Sequence, residues 1–437
     1  MAIHDFAGRR GWMKEGKALI RIQQISVLYM VIWTISPFMS IDNIWRIGAL
    51  AAFGLWLLCA MSRGLHLERI HMLALTFMVL VMVVNIIQNS GFGKIMSPIS
   101  TYMMVLFFIV GHFYRDKWKE LYFIVPIILL FLIYFNFKSA FKVMEDPTIA
   151  RLIVRNDENN YQHLREGIGG YGLLYPQVVT FPVLVIWIIK SYKLKMIYFL
   201  TGIVWIVSYV LFVLNANYAI AITGSVISLI ILFFYKGHSA ALAFVVSAGL
   251  FIALMLMILH WDSFRNMLLE YFDGTAVAKK INDLVATSES GTTEGSINAR
   301  IIRYQSDINT IFHFPFIGGL WWESGGGHSA LAGSFAQYGI FGGYTFCKII
   351  YGVPISYKKY FGYKKIQQIA NANLVGLLFV TLLDSMTYSF LGMILIITPI
   401  LYENIIEWDG LTANNENALK IEKEEIKNVP VTLSKAR

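Results

Sequence analysis

The sequence predicts an all-α polytopic membrane protein with about twelve transmembrane helices. Hydrophobic residues make up 57% of the 437-residue chain and charged residues only 14%, whereas soluble domains contain about 45–50% and about 25%. The apolar residues form runs of roughly 17–25 residues, the length that a membrane-spanning helix requires. The basic residues concentrate between alternate runs, as they do in polytopic membrane proteins.

The apolar runs define twelve predicted spans. They lie near 24–40, 44–62, 71–88, 97–114, 121–138, 173–190, 196–214, 219–235, 239–260, 329–347, 366–384 and 386–402. The basic N-terminal residues lead directly into the first run, and no small-residue cleavage site follows it. We therefore expect this run to be a span and not a cleaved signal peptide.

The distribution of basic residues predicts that both termini face the cytoplasm. In that orientation, the cytoplasmic segments contain 24 of the 36 Lys and Arg residues. The short outer connections contain only Arg46 and Lys94, which is the asymmetry described by the positive-inside rule. Two long outer loops contain the remaining basic residues, and long loops cross a membrane largely regardless of charge.

The predicted spans and loops divide the chain into six segments. These are spans 1–5 with the N-terminal tail (1–137), the first long periplasmic loop (138–172), spans 6–9 (173–260), the second long periplasmic loop (261–328), spans 10–12 (329–402) and the cytoplasmic tail (403–437). The net charge of +9 does not by itself indicate nucleic-acid binding, because its location matters more than its size.

The two long loops are rich in arginine. Six of their ten basic residues are Arg, namely Arg151, Arg155, Arg165, Arg265, Arg300 and Arg303. A guanidinium group can form two parallel hydrogen bonds to a phosphate, which an ammonium group cannot. The loops therefore predict phosphate recognition, and the alternative is a solvated loop surface.

The segment "INARIIRYQSDINTIFHFP" (297–315) in the second loop predicts a helix, because Ser296 can cap it and it must stop before Pro315. Arg300 and Arg303 share one face of this helix with Asp307. Two guanidinium groups one turn apart can bind a diphosphate, although a helix with an internal Arg–Asp pair is the alternative. Tyr304 is a candidate supporting residue, with a packing role as its alternative.

The first loop ends in a glycine-rich turn beside an arginine. Arg165 precedes Gly167, Gly169, Gly170 and Gly172. Glycines allow a backbone to approach a ligand closely. We therefore expect Arg165 to bind the ligand at the membrane surface, and Arg155 is a second candidate for this role. A flexible linker is the alternative.

His328 follows the glycines 325–327, where the second loop meets a span. It could be a surface group, a metal ligand or a general base. No second His or Cys lies nearby at ligand spacing, and Cys59 and Cys347 fall within apolar runs, so we expect no metal. An imidazole with a pKa of about 6.5 suits a general base. Glu323 is a candidate residue for orienting it.

The signatures of several soluble enzyme classes are absent from the sequence. There is no Walker A motif, no H-E-x-x-H, no G-x-S-x-G and no D-x-D pair for a metal-held nucleotide sugar. Their absence fits a reaction outside the cytoplasm, where nucleotide donors are not available. A membrane-bound donor such as a lipid diphosphate glycan fits this expectation.

Four short motifs follow the Arg–Gly turn in order. They are "NAR" (298–300), "FPFIGG" (314–319), "GGHSAL" (326–331) and "QYGIFGG" (337–343). In these motifs and in its predicted topology, the chain resembles the bacterial O-antigen and capsule polysaccharide polymerases (Wzy-type) and the O-antigen ligases (WaaL-type). Both are GT-C-like membrane glycosyltransferases.

The resemblance implies a bacterial inner-membrane enzyme whose active site faces the periplasm. It implies undecaprenyl-diphosphate-linked oligosaccharides as donor and acceptor, with no metal, cofactor or nucleic acid. Arg300 and Arg165 would bind the diphosphate, and His328 would activate the acceptor hydroxyl, so the anomeric centre would invert. Ser329 stands where the family often has Asn. The outer loops could also bind a chain-length regulator protein.

Three functions remain open on the sequence alone. Tyr218 stands where ligases commonly carry Arg, which favours a polymerase over a ligase that uses a lipid A-core acceptor. A lipid-linked oligosaccharide flippase is the alternative from another class. It is less favoured because the predicted spans contain few ionisable groups away from their ends.

Overall fold

The computed structural model describes most of the predicted spans and parts of the two long loops. The described residues are 16–39, 41–88, 99–146, 149, 158–192, 194–216, 218–234, 245, 249, 262–274, 278, 281–282, 296–321, 329–361, 364–384 and 389–410. Most of them are helical, and none of these residues belongs to a β-strand. The predicted all-α class is confirmed for this part of the chain.

The helices are numbered here in chain order within those ranges. They are α1 (Gly16–Ile35), α2 (Asn43–Ser62), α3 (Arg69–Gln88), α4 (Ile99–Phe113), α5 (Ile124–Glu145), α6 (Glu158–Arg165), α7 (Tyr171–Ser191), α8 (Met196–Ala216), α9 (Ala219–Phe234), α10 (Asp262–Tyr271), α11 (Ser296–His313), α12 (Ala330–Ile350), α13 (Gly352–Phe361), α14 (Lys364–Leu383) and α15 (Phe390–Gly410). Short 3₁₀ turns span Trp118–Leu121 and Gly318–Trp321, and α15 contains a π-helical segment at Met393–Ile397.

Seven of the described helices are long and apolar enough to cross a membrane: α1, α2, α5, α7, α8, α14 and α15. Three shorter apolar helices lie within α3, α4 and α9. All ten overlap predicted spans. The span predicted at 329–347 corresponds to α12, which is not among the seven, and the span predicted at 239–260 lies outside the described residues apart from Val245 and Gly249. The total of twelve stays a prediction.

Helix α7 lies in the centre of the bundle and packs against α8, α9, α14 and α15. A buried polar network fixes its position, because Gln177 accepts hydrogen bonds from Asn136 Nδ2 of α5 and from Trp205 Nε1 of α8, each at 2.9 Å. Gln177 also donates to Asn136 Oδ1 at 2.9 Å. Side chains that satisfy one another in this way hold helices together where no water is available.

Ion pairs join several helix termini at one end of the bundle, which we call the charged end. Arg63 pairs with Glu120 at 2.6 Å and connects the end of α2 to the first 3₁₀ turn. Lys190 and Lys365 both pair with Asp409, so the end of α7, the start of α14 and the end of α15 meet there. The basic residues of these pairs belong to the segments that the sequence predicts to be cytoplasmic.

Candidate functional site

The turn that follows α11 lies directly on the middle of α12. Gly339 interrupts α12 with φ 63° and ψ −165°, a conformation available almost only to glycine. The next amide, of Ile340, donates to the Pro315 carbonyl at 2.8 Å. A Cβ on Gly339 would lie 2.2 Å from the Phe316 carbonyl oxygen. The "FPFIGG" and "QYGIFGG" motifs are therefore the two sides of one close backbone contact.

The start of α12 is attached to the C-terminal end of α14. Ser329 is 2% exposed and is the N-cap of α12. Its hydroxyl donates to the Thr381 carbonyl at 3.1 Å, and the Ala330 amide donates to the Asp384 carbonyl at 3.0 Å. The backbone position directly after His328 is thus fixed by two hydrogen bonds to α14. We call residues 381–384 the α14 end.

Two tyrosines from other helices also reach the α14 end. Tyr304 of α11 donates its hydroxyl to the Leu382 carbonyl at 2.9 Å. Tyr175 of α7 donates to the Asp384 carboxylate at 2.9 Å, and Asp384 is only 6% exposed. Helices α7, α11, α12 and α14 therefore converge here. Since α14 begins at the charged end and has 20 residues, the α14 end lies about 30 Å from it.

Three tyrosine rings pack against one another beside the α14 end. The Tyr171 and Tyr175 rings stack with centroids 4.8 Å apart, and the Tyr171 and Tyr218 centroids are 4.4 Å apart. Tyr218 is thus a buried packing partner of α7. Ring pairs at these separations stabilise one another beyond simple burial.

The face predicted to combine Arg300, Arg303 and Asp307 is divided between solvent and protein. Arg303 is exposed, whereas Asp307 is fully buried. Arg300 belongs to α11, but its side chain lies outside the described residues. Arg303 therefore lies on the solvent-exposed side of the helix and Asp307 on its packed side. His328, Glu323 and Arg155 lie outside the described part of the chain.

Arg165 lies at the same end of the bundle as the α14 end. Its guanidinium pairs with Asp42 at 3.2 Å, and the side chains are 62% and 41% exposed. Asp42 precedes α2, whose other terminus carries Arg63 at the charged end. Pairs as exposed as this one contribute little to stability, so Asp42 holds Arg165 only weakly.

The glycines after Arg165 allow close packing against α5. Gly167 has φ 81°, and an added Cβ would lie 2.8 Å from the Phe135 ring. The Gly169 amide donates to Ser139 Oγ at 2.7 Å. The sequence predicts that these glycines approach a ligand. At Gly167 and Gly169 the backbone instead approaches helix α5. This close approach fixes the backbone that precedes α7.

Asp384 is the residue at this site that sequence reasoning left aside. In the sequence it is one of the ionisable groups at the end of a predicted span, here the span 366–384. A carboxylate at the end of an apolar run is itself a signal, because ionisable residues in membrane segments are costly and usually functional or paired. Its partner Tyr175 lies 209 positions earlier, so the sequence offered no means of connecting the two.

Comparison with models of known protein families gave no match, and comparison with curated protein sequences gave no significant match. The function is therefore inferred from the site's geometry and from the motifs of the chain.

The tyrosine hydrogen bonds at the α14 end lead to a stability prediction. Tyr175→Phe removes a donor to a carboxylate, a contact that contributes about 1.5–3 kcal/mol, whereas Tyr304→Phe removes a donor to a neutral carbonyl, worth about 0.5–1.5 kcal/mol. We expect the first variant to unfold at the lower temperature when the two are compared in the same detergent. Equal melting temperatures for both variants would contradict the assignment of Tyr175 as the donor to the Asp384 carboxylate.

Proposed function

We propose that the protein is a polysaccharide polymerase of the bacterial inner membrane. It transfers a growing glycan from undecaprenyl diphosphate to the non-reducing end of another undecaprenyl-diphosphate-linked repeat unit. The reaction takes place at the α14 end, on the periplasmic side, and needs no metal or cofactor. The glycosyl centre is inverted.

One observation supports this proposal most directly. The residue after His328, the helix that carries Arg300 and Arg303, and the turn that carries Arg165 all belong to the same end of the bundle. Arginine-bearing segments of both long loops therefore belong to the end of the bundle at which α12 begins. A general base that shares one end of the bundle with guanidinium groups suits the transfer of a group from a diphosphate.

The chemistry can be written for these groups. His328 accepts the proton of the acceptor hydroxyl as its oxygen forms a bond to the anomeric carbon. The bond from that carbon to the diphosphate oxygen breaks, and undecaprenyl diphosphate leaves with the electron pair. Arg300, Arg303 and Arg165 stabilise the charge that grows on the departing diphosphate, because guanidinium–phosphate hydrogen bonds are charge-assisted. Arg155 is a further candidate for this contact.

Supporting roles are proposed for residues around the base. Ser329 caps α12 and is bonded to α14, so it positions the residue before it. Tyr304 connects α11 to the Leu382 carbonyl at the α14 end. Glu323 would orient the His328 imidazole in the tautomer that accepts a proton. None of these three is required to touch the departing diphosphate.

The proposed orientation follows from the distribution of basic residues, and the proposed number of spans follows from the apolar helices and the location of both termini. The charged end faces the cytoplasm, since its helix termini carry the basic residues that are retained on that side. The α14 end, about 30 Å away, then faces the periplasm. Twelve spans bring both termini to the cytoplasm, with seven strongly apolar helices and three shorter apolar ones among the described residues.

Lipid-linked donor and acceptor reach the site laterally from the membrane, and a chain-length regulator would contact the long loops.

A polymerase is favoured over a ligase by the surroundings of Tyr218. A tyrosine has no cationic group to offer a diphosphate, and this ring is packed against Tyr171 and is 6% exposed. A ligase would lack one of its usual phosphate contacts here. The polymerase assignment does not depend on that contact.

Deleting the gene in the source bacterium distinguishes the three functions. We expect loss of the surface polysaccharide ladder, with single repeat units accumulating on undecaprenyl diphosphate at the periplasmic leaflet. Accumulation of lipid-linked polymer would instead identify a ligase. Retention of single units at the cytoplasmic leaflet would identify a flippase. Complementation with the intact gene is the control.

A further inference from the structure

Glu68, His71 and His112 form a cluster at the charged end, opposite the proposed active site. One donor atom from each residue lies within 4.8 Å of the other two. The imidazole rings are 4.1 Å apart between centroids, and His112 Nε2 lies 3.7 Å from Glu68 Oε1. The cluster joins the start of α3 to the last turn of α4.

His71 is the unusual member of this cluster. The residue is 0% exposed, its ring stacks on Phe108 at 4.7 Å, and its Nε2 has no hydrogen-bond partner among the described residues. A buried polar atom without a partner is destabilising and is rare in folded proteins. A ligand from outside the described residues would satisfy this atom.

We propose that Glu68, His71 and His112 bind a divalent transition-metal ion, with Zn²⁺ as the best fit. Two imidazoles and one carboxylate are the ligand set that Zn²⁺ accepts when a fourth, open position is completed by water. Mg²⁺ and Ca²⁺ prefer oxygen ligands alone, so two imidazoles disfavour them. The ion would connect α3 to α4 at the cytoplasmic surface.

A hydrogen bond at the start of α3 competes with this ion. His71 Nδ1 accepts the Glu68 backbone amide at 3.0 Å, an arrangement that caps the helix. That bond requires the imidazole proton to be on Nε2. Coordination through Nε2 moves this proton to Nδ1, so His71 stays neutral and the capping bond breaks. Metal binding and this cap therefore exclude each other, and the start of α3 changes when the ion binds.

The full-length protein in detergent provides the test, with ZnCl₂ as the probe in isothermal titration calorimetry. We expect one Zn²⁺ per chain. Glu68→Gln and His112→Gln should each weaken binding by at least about 100-fold, since loss of even an outer-shell contact costs about 10–100-fold. His66→Gln is the matched control, because His66 is exposed, lies two residues from Glu68 and is outside the cluster.

Glu68→Gln keeps the test independent of folding, because the Glu68 side chain is 59% exposed. Unchanged Zn²⁺ affinity in this variant would overturn the proposal, as would absence of binding to the wild-type chain or equal loss in His66→Gln. A Zn²⁺-dependent rise in melting temperature that appears in the wild type and in His66→Gln, but not in Glu68→Gln, would support it. Neither readout depends on the polymerase assignment.

Discussion

Replacing His328 with Ala is expected to lower the rate of glycan polymerisation by about 10²–10⁴-fold, the usual contribution of a general base. The acceptor hydroxyl would then have no group to take its proton as the new bond forms. The measurement is chain extension by full-length protein in liposomes that contain lipid-linked repeat units from the source bacterium, followed by gel separation of the products.

His313→Ala is the matched control for this variant. His313 is exposed at the end of the preceding helix α11, where its Nδ1 lies 2.8 Å from the Asn309 carbonyl oxygen. We expect this variant to retain near wild-type polymerisation. If His328→Ala extended chains as fast as His313→Ala, His328 would not be the base. A flippase would also keep transporting substrate after the His328 change.

The second large effect is expected at Gly339. An alanine there must adopt a backbone conformation that costs about 1–3 kcal/mol, and its Cβ would lie 2.2–2.6 Å from backbone atoms of Phe316 and Ile317. Backbone atoms cannot move aside as a flexible side chain can. We expect Gly339→Ala to separate the turn after α11 from α12 and to lower both the melting temperature and the polymerisation rate.

Gly54→Ala provides the comparison for this prediction. Gly54 lies within α2, and a Cβ added there meets nothing within 4 Å. Ala is favoured over Gly in a helix by about 0.5–1 kcal/mol, so this change should leave stability equal or slightly higher. Thermal unfolding of both variants in one detergent measures the difference. Similar melting temperatures would mean that the close contact at Gly339 is not formed.

The helix of the second loop was well predicted from the sequence. The signals at Ser296 and Pro315 place its limits correctly, since α11 runs from Ser296 to His313. Capping residues and prolines act through atoms a few positions away, so their effect is readable locally. The division of its polar face was not readable, because burial of Asp307 depends on which neighbour α11 packs against.

Span boundaries show a similar limit. The span predicted at 121–138 is helix α5, which continues to Glu145. Its last turns carry Lys138, Lys142 and Glu145, whose charges end the apolar run but not the helix. Hydropathy marks where a helix can meet lipid, whereas the hydrogen bonds of the backbone determine where the helix ends.

The motif glycines show what sequence reasoning could not assign. The turn after Arg165 predicts that Gly167 approaches a ligand, and Gly339 belongs to the motif "QYGIFGG", yet the missing side chains of these glycines admit Phe135 and the Phe316 backbone. A glycine in a sequence indicates that something approaches closely. Only packing decides whether that neighbour is a ligand or another part of the chain.

The sequence by itself determined that the chain forms long apolar helices, because helix formation and transfer into a membrane depend on local hydrogen bonds and on the average polarity of about 20 residues. The tertiary structure decided which polar groups meet. Tyr175 and Asp384 are 209 positions apart and His71 and His112 are 41 apart, and such pairs exist only when helices pack in one particular order. Contacts of this kind depend on the shapes of whole helix surfaces, which no short stretch of sequence contains.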